Sequence, residues 1–164
     1  GFDEALVRNQ DDEHNLRITK GGGRIWQSAR IRSAYRPRAR LGQVFRQYLQ
    51  YGYWKPFVMK KHGQAASMRH GVPALFVVAL ALGIVATLAG FGWPLVLLLL
   101  AYAAVVMSLA AAVARASRLS MAALSRVPVV IVACHVAYGI GSVAGAWDAY
   151  VARRARAAFT HLSR

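Results

Sequence analysis

Over residues 41–62, Leu41, Val44, Phe45, Tyr48 and Leu49 recur at helical spacing, with Arg46 and Gln47 on the opposite face. The stretch is aromatic, its apolar run is too short to span a bilayer, and it ends on Lys60 and Lys61. It predicts an amphipathic helix lying in a membrane interface. Pro56 lacks an N–H, so the helix is expected to kink or end after Trp54. Downstream the rhythm disappears. From Val72 to Ala114 the only breaks in the apolar run are glycines, prolines, Thr87 and Ser108. Three apolar segments follow one another, at 72–90, 93–114 and 127–147, each near the ~20 residues that cross a hydrocarbon core. The first two are joined only by Phe91-Gly92-Trp93 and predict a tight helical hairpin.

Upstream, residues 9–20 read as a helix. Asn9 or Asp11 can cap it, acids fill the first turn where the helix dipole favours them, and Lys20 sits in the last turn. Glu13 and Arg17 are four apart and can pair. Gly21, Gly22 and Gly23 stop the helix, one of them free to take the left-handed conformation. Residues 24–35 alternate well enough for a strand or short hairpin, and Pro37 breaks that pattern. The expected fold class is therefore mainly α, with short strands before the interfacial helix.

Charge divides the chain further. Its 164 residues carry a formal net charge of +15, and five of the six acids lie before residue 14. Long uncharged apolar stretches turn this basicity towards an anionic lipid surface rather than nucleic acid. Arg115, Arg118 and Arg126, with Lys60, Lys61 and Arg69, place both flanks of the hairpin in the cytoplasm. The third segment is read as a crossing, which leaves the arginine-rich tail outside. A broken or re-entrant segment would return that tail to the cytoplasm. Small residues at Gly139, Gly141 and Gly145 suit close helix packing. His135, inside this segment, needs a partner, with Tyr138 or a backbone group expected. His62 and His70 read as solvated, and the lone Cys134 as a small buried residue.

The candidate chemistry sits in the acidic cluster. Asp11, Asp12, Glu13 and His14 are consecutive, so on a helix their side chains point about 100° apart and cannot converge on one ion. A single carboxylate at a helix N-terminus stays ionised and can accept a proton from an alcohol held before it. The plainer reading is a solvated, well-capped helix start.

The run GFDEALVRNQDDEHNLRITKGGGRI resembles the C-terminal part of the catalytic domain of family 2 glycosyltransferases. In that pattern an acid pair is followed by a further acid, an Arg six residues after the Asp and a Gly eleven after it. Asp11, Glu13, Arg17, Gly22 and Ile25 fit the spacing, and Gln10 stands where a Glu is usual. Gln50 and Trp54 are similar to the QxxRW motif of membrane-bound members, with Tyr53 in place of the Arg. Gln47–Lys55, Arg69–Pro73 and His135–Gly141 follow in the order found in succinoglycan-type exopolysaccharide glucosyltransferases.

The resemblance implies a remnant of a GT-A α/β domain over 1–40, an interfacial helix region over 41–71, a transmembrane region of two or three helices over 72–152 and a basic tail over 153–164. It implies an inverting transferase at the bacterial inner membrane, its catalytic part facing the cytoplasm. The donor would be a nucleotide-sugar, UDP-glucose, and the acceptor a polyprenyl-diphosphate-linked saccharide. Asp11 would be the general base. Phe2, Asp3, Glu13, Gln50 and Trp54 would lie on the acceptor or substrate side. Mg²⁺ or Mn²⁺ would be held by an N-terminal half with a DxD motif, which this stretch lacks, so the chain is expected to be an inactive fragment on its own. The competing expectation is a small, basic, non-enzymatic membrane anchor that binds lipid or a partner.

Overall fold

The computed structural model describes residues 1–35, 38–63 and 68–159, with the side chains of Met68 and Arg69 left aside. Pro37 of the expected strand break, Arg69 of the Arg69–Pro73 motif and residues 160–164 of the tail thus lie outside the described residues or side chains. Six α-helices account for most of the remainder: α1 (Gln10–Lys20), α2 (Leu41–His62), α3 (Val72–Leu88), α4 (Trp93–Ala116), the single turn α5 (Met121–Leu124) and α6 (Val127–Ala146). A π-helical segment, Trp147–Ala152, extends α6.

α1 starts and stops near the expected residues. Asn9 precedes its first turn in a left-handed conformation, φ 61°, and makes no side-chain cap. Its Nδ2 donates instead to the Tyr51 carbonyl, 2.9 Å away, so the expected cap becomes a tie between α1 and α2. Gly22 takes the left-handed conformation, φ 78°, after the last turn. The strand expected over 24–35 is absent: among the described residues no strand forms. Its large apolar residues, Ile25, Trp26, Ile31 and Tyr35, are all exposed, Trp26 by 83%. A strand needs a partner to satisfy its ladder, and a lone hairpin is marginal in water.

α2 does not end at Pro56; it continues to His62. Proline removes the hydrogen bond to the carbonyl four residues back, which belongs to Gly52. That carbonyl accepts from Ser142 Oγ of α6, at 3.4 Å. A residue 90 positions away in the chain thus supplies the missing donor. Nor does α2 lie with one open face throughout. Gln50 and Gly52–Pro56 are buried, along with Val58, between α1, α6 and the tail.

Glycines make the α2–α6 contact. A methyl on Gly52 would overlap the Tyr138 carbonyl, one on Gly141 the Leu49 carbonyl, and one on Gly145 the Tyr53 carbonyl. Gly139 is pressed in the same way against the Pro73 carbonyl of α3. The small residues at these spacings do pack helices, as expected.

The hairpin forms through α3 and α4. Gly90, φ 91°, occupies the turn, and Phe91 N–H donates to the Ala86 carbonyl at 2.8 Å. Phe76 stacks on Tyr102 at 4.1 Å, and Leu95 packs on Gly83. Among the described residues, two helical stretches are long and apolar enough to cross a membrane: Trp93–Ala116 and Met121–Ala152. α3, with 17 residues, is shorter. His135 meets Phe76 and Tyr102, each at 5.3 Å between ring centroids, rather than Tyr138.

Candidate functional site

Three consecutive acids on α1 go three ways, as the 100° step per residue requires. Asp11 is exposed at the mouth of a cleft and makes no hydrogen bond or ion pair among the described residues. Asp12 accepts from Lys55 Nζ of α2 at 2.7 Å. Glu13 turns inward and is 0% exposed.

Glu13 sits in a cationic cage. Lys61 Nζ lies 2.8 Å from its Oε1, His62 Nε2 3.2 Å from the same oxygen, and Arg17 3.3 Å from Oε2. Lys61 also reaches Asp3 at 2.5 Å. His62 is therefore a wall of this cage and not a solvated surface group; a buried carboxylate needs donors on each oxygen, and α2 supplies those on Oε1 while Arg17 of α1 supplies that on Oε2. The Lys61 hydrogen bond holds Glu13 below its ordinary pKa of 4.5 against the opposing effect of burial, with Arg17 adding to it. The same lysine holds Asp3 below 3.8.

This geometry sets a pH dependence. A carboxylate whose folded pKa is depressed contributes stability above its unfolded pKa and loses it as pH falls through the folded value. The docking of α1 on α2 is therefore complete above pH 4.5 and loosens on acidification below it. Amide exchange in α1 is expected to accelerate as the pH falls below 4.5, after correction for intrinsic rates. Exchange in the α3–α4 hairpin, which has no carboxylates, serves as the unchanged reference.

Asn9, Asp11, Asp12, Tyr51, Lys55, His70 and Tyr138 line the cleft, whose volume is about 330 Å³. Beside it lies an apolar groove of about 580 Å³ lined by Tyr48, Pro73, Val130, Ile131, Cys134 and His135. His70 and Tyr138 border both spaces. A carboxylate and an ammonium thus stand next to an apolar groove.

The remaining candidate residues lie elsewhere. Phe2 is exposed and packs against His14 at 5.2 Å. Gln50 is buried and accepts from Arg8 Nε at 3.2 Å. Trp54 is buried, and its Nε1 donates to the Phe159 carbonyl at 3.1 Å. Phe2, Asp3, Glu13, Gln50 and Trp54 are not part of the cleft lining around Asp11.

Tyr53, in the position of the motif's arginine, is 0% exposed. Its hydroxyl donates to Asp148 Oδ2 at 2.7 Å and accepts from the Arg156 N–H at 2.8 Å. Burial pushes this phenol up to about 12, so it stays a donor. Arg156 Nε completes the pairing of Asp148 at 2.7 Å, and Phe159 stacks on the Tyr53 ring at 3.9 Å. Position 53 therefore fastens the chain that follows α6 to α2. The cation on the cleft is Lys55, two residues further on.

Sequence reasoning did not place Asn9, Tyr51, His70 or Tyr138 at the cleft. They come from four separated stretches, and only the packing of α6 across α2 brings them together. Among the described residues no group of three or more His, Cys, Asp or Glu side chains could hold a metal ion.

Compared with known proteins, the chain matches no family model. No solved structure matches it either. It is similar to the succinoglycan biosynthesis protein ExoA of Rhizobium meliloti (strain 1021), 37% identical over 93 residues. Those residues make up 57% of this chain and span only 27% of that protein.

Proposed function

We propose that this chain forms the acceptor side and membrane seat of a family 2, GT-A glycosyltransferase acting in bacterial exopolysaccharide synthesis. In this reading the complete enzyme sits at the inner membrane with its catalytic part in the cytoplasm. It moves glucose from UDP-glucose to a polyprenyl-diphosphate-linked saccharide. Similarity to a succinoglycan biosynthesis protein supports the pathway class. The observation that carries the acceptor assignment is the adjacency of the two spaces: Asp11 and Lys55 on the polar cleft, the apolar groove beside it, and His70 and Tyr138 on the wall of both.

Asp11 accepts the proton of the acceptor hydroxyl, and the oxygen attacks the anomeric carbon from the face opposite the departing nucleotide diphosphate, inverting it. Lys55 offers an ammonium to acceptor phosphate; as a point charge it does not reproduce the bidentate contact of an arginine. Glu13 and Gln50 tie α1 and the segment before it to α2 behind the cleft, and Trp54 ties α2 to Phe159. Asp11, Asp12 and Glu13 diverge, and among the described residues no group of three or more such side chains fits a metal, so no step is drawn through one here. The Mg²⁺ or Mn²⁺ implied by the resemblance would belong to the nucleotide-binding half, outside this chain.

The test uses the full-length enzyme with two acceptors carrying the same saccharide, one on a long isoprenyl chain and one on a short water-soluble carrier. Ile131→Trp fills the apolar groove. Loss of contact with two methylenes, at about 0.8 kcal/mol each, corresponds to roughly a tenfold rise in KM. That rise is expected for the long-chain acceptor only. An equal effect on both acceptors refutes the groove assignment. Absence of sugar transfer from any nucleotide-sugar refutes the enzymatic reading and favours a lipid-binding anchor.

A further inference from the structure

Of the two stretches long and apolar enough to cross a membrane, one is fastened to a helix that is poorly suited to do so. We propose that α2 and α6 lie together in the plane of one membrane interface, so that only the α3–α4 hairpin crosses. Both ends of α6, and the tail after it, then remain on the side that carries α1. The partner of this layer is a leaflet with anionic headgroups. This inference does not depend on the enzymatic reading.

The first argument is the length of the α2–α6 contact. The two helices run in the same direction from end to end. Phe45 shares a pocket with Pro128, Val129 and Val132 near their starts. Gly141 and Gly145 then meet the carbonyls of Leu49 and Tyr53, and Lys60 Nζ donates to the Ala149 carbonyl near their ends. Helices packed glycine against carbonyl over this length share one inclination to the bilayer; α3 meets α6 over a shorter stretch, at Gly139 and His135, and does not set its inclination.

The second argument is that α2 cannot take a crossing inclination cheaply. It carries Gln43, Arg46, Gln47, Gln50 and Lys55. Each Arg or Lys at the centre of a spanning helix costs about 2.5–3.5 kcal/mol on insertion scales. Its two ends also belong to the same watery layer. Arg38 and Arg40 precede it, and α1 docks on it through Tyr51, Lys55, Lys61 and His62. A crossing would have to pull one of these ends through the membrane.

The third argument is charge. Arg126 starts α6 beside Arg38 and Arg40, which line a common pocket. Arg153, Arg154 and Arg156 follow its end, with Arg156 tied to buried Asp148. A crossing strands one of these cationic groups on the far side, against the positive-inside tendency; an in-plane helix leaves both on anionic headgroups.

The surface of α6 suits that position. Its small residues Ala137, Gly141 and Gly145 are buried, facing inward. Val129, Ile140, Val143, Trp147 and Tyr150 stay exposed. Their steps, apart from the first, are of three and four residues, so they form a stripe along one side, which is how an interfacial helix presents apolar surface to acyl chains. The length and composition that make α6 a candidate span are equally satisfied by this seating.

Sidedness decides it. In the full-length protein, with Cys134 and any other native cysteine replaced by Ala, single cysteines are placed at exposed positions: Ala29→Cys, Phe91→Cys, Ser125→Cys and Ala155→Cys. Sealed vesicles of both orientations are treated with a membrane-impermeant maleimide. Ala29, Ser125 and Ala155 are expected to label in the same vesicle orientation, and Phe91 in the opposite one. Labelling of Ala155 with Phe91 overturns the proposal, because α6 then crosses. Labelling of all four from one side also overturns it, because the hairpin then does not cross. Should a cysteine variant fail to accumulate, protease cleavage at a recognition site inserted after Ala155 in the otherwise native protein, in vesicles of each orientation, reports the same sidedness for this segment.

Discussion

Asp11→Asn in the full-length enzyme is expected to lower sugar transfer by about 10²–10⁴-fold, the usual contribution of a positioned general base, while donor binding is retained. The substitution removes a charge from an exposed side chain that pairs with nothing among the described residues, so folding has little reason to respond. Its neighbours make the comparison sharp. Asp12→Asn takes the anion away from Lys55 and is expected to perturb acceptor KM more than turnover. Glu13→Gln leaves Lys61, Arg17 and His62 around a neutral buried amide, so it should lower the melting temperature at neutral pH. Three adjacent acids thus predict three separable phenotypes: lost chemistry, altered acceptor affinity and lost stability. Near-wild-type turnover for Asp11→Asn would remove it as the base, and Asp12 would be the next carboxylate to test, since it lines the same cleft.

What was legible in the sequence follows from the range of the forces involved. The ends of α1, the Glu13–Arg17 pair and the existence of the α3–α4 hairpin are decided within a few residues, and local patterns read them; the turn itself begins earlier than expected, at Ala89 and Gly90. Errors arose where a distant group intervened. Pro56 was expected to kink or end α2; the helix continues, and Ser142 from α6 donates to the carbonyl left without its helical donor. Residues 24–35 alternate like a strand, yet strand formation depends on a neighbour that the described residues do not supply. His62 looked solvated beside two lysines, but Glu13 lies 3.2 Å away across the α1–α2 contact. Tyr53 stood out only as a departure from the motif. Its role needs Asp148 and Arg156, about a hundred positions on, and no local spacing reveals that pairing.

The seam between α2 and α6 carries the largest expected effect on stability. Gly145→Leu would drive its Cβ into the Tyr53 carbonyl, and Gly141→Leu into that of Leu49. Both obstacles are helix backbone, which cannot rotate aside as a side chain can, so the helices must separate. Overpacking a well-filled core costs about 1–3 kcal/mol and sometimes more. Here the upper end or beyond is expected, because the same separation also breaks the Tyr53–Asp148 hydrogen bond and withdraws Ser142 from the carbonyl that Pro56 leaves without a donor. An acid left buried without its partners adds its own penalty. Gly42→Ala, in the same helix, meets nothing within 4 Å and sits at ordinary φ. Removing that helical glycine should instead stabilise by about 0.5–1 kcal/mol. Thermal unfolding in detergent checks the contrast: Gly141→Leu and Gly145→Leu should melt well below wild type, and Gly42→Ala at or above it. Equal melting for all three would mean that α2 and α6 are not in contact. The proposed interfacial layer and the cleft that opens between these helices would both lose their support, since each depends on Tyr138 lying directly over Gly52.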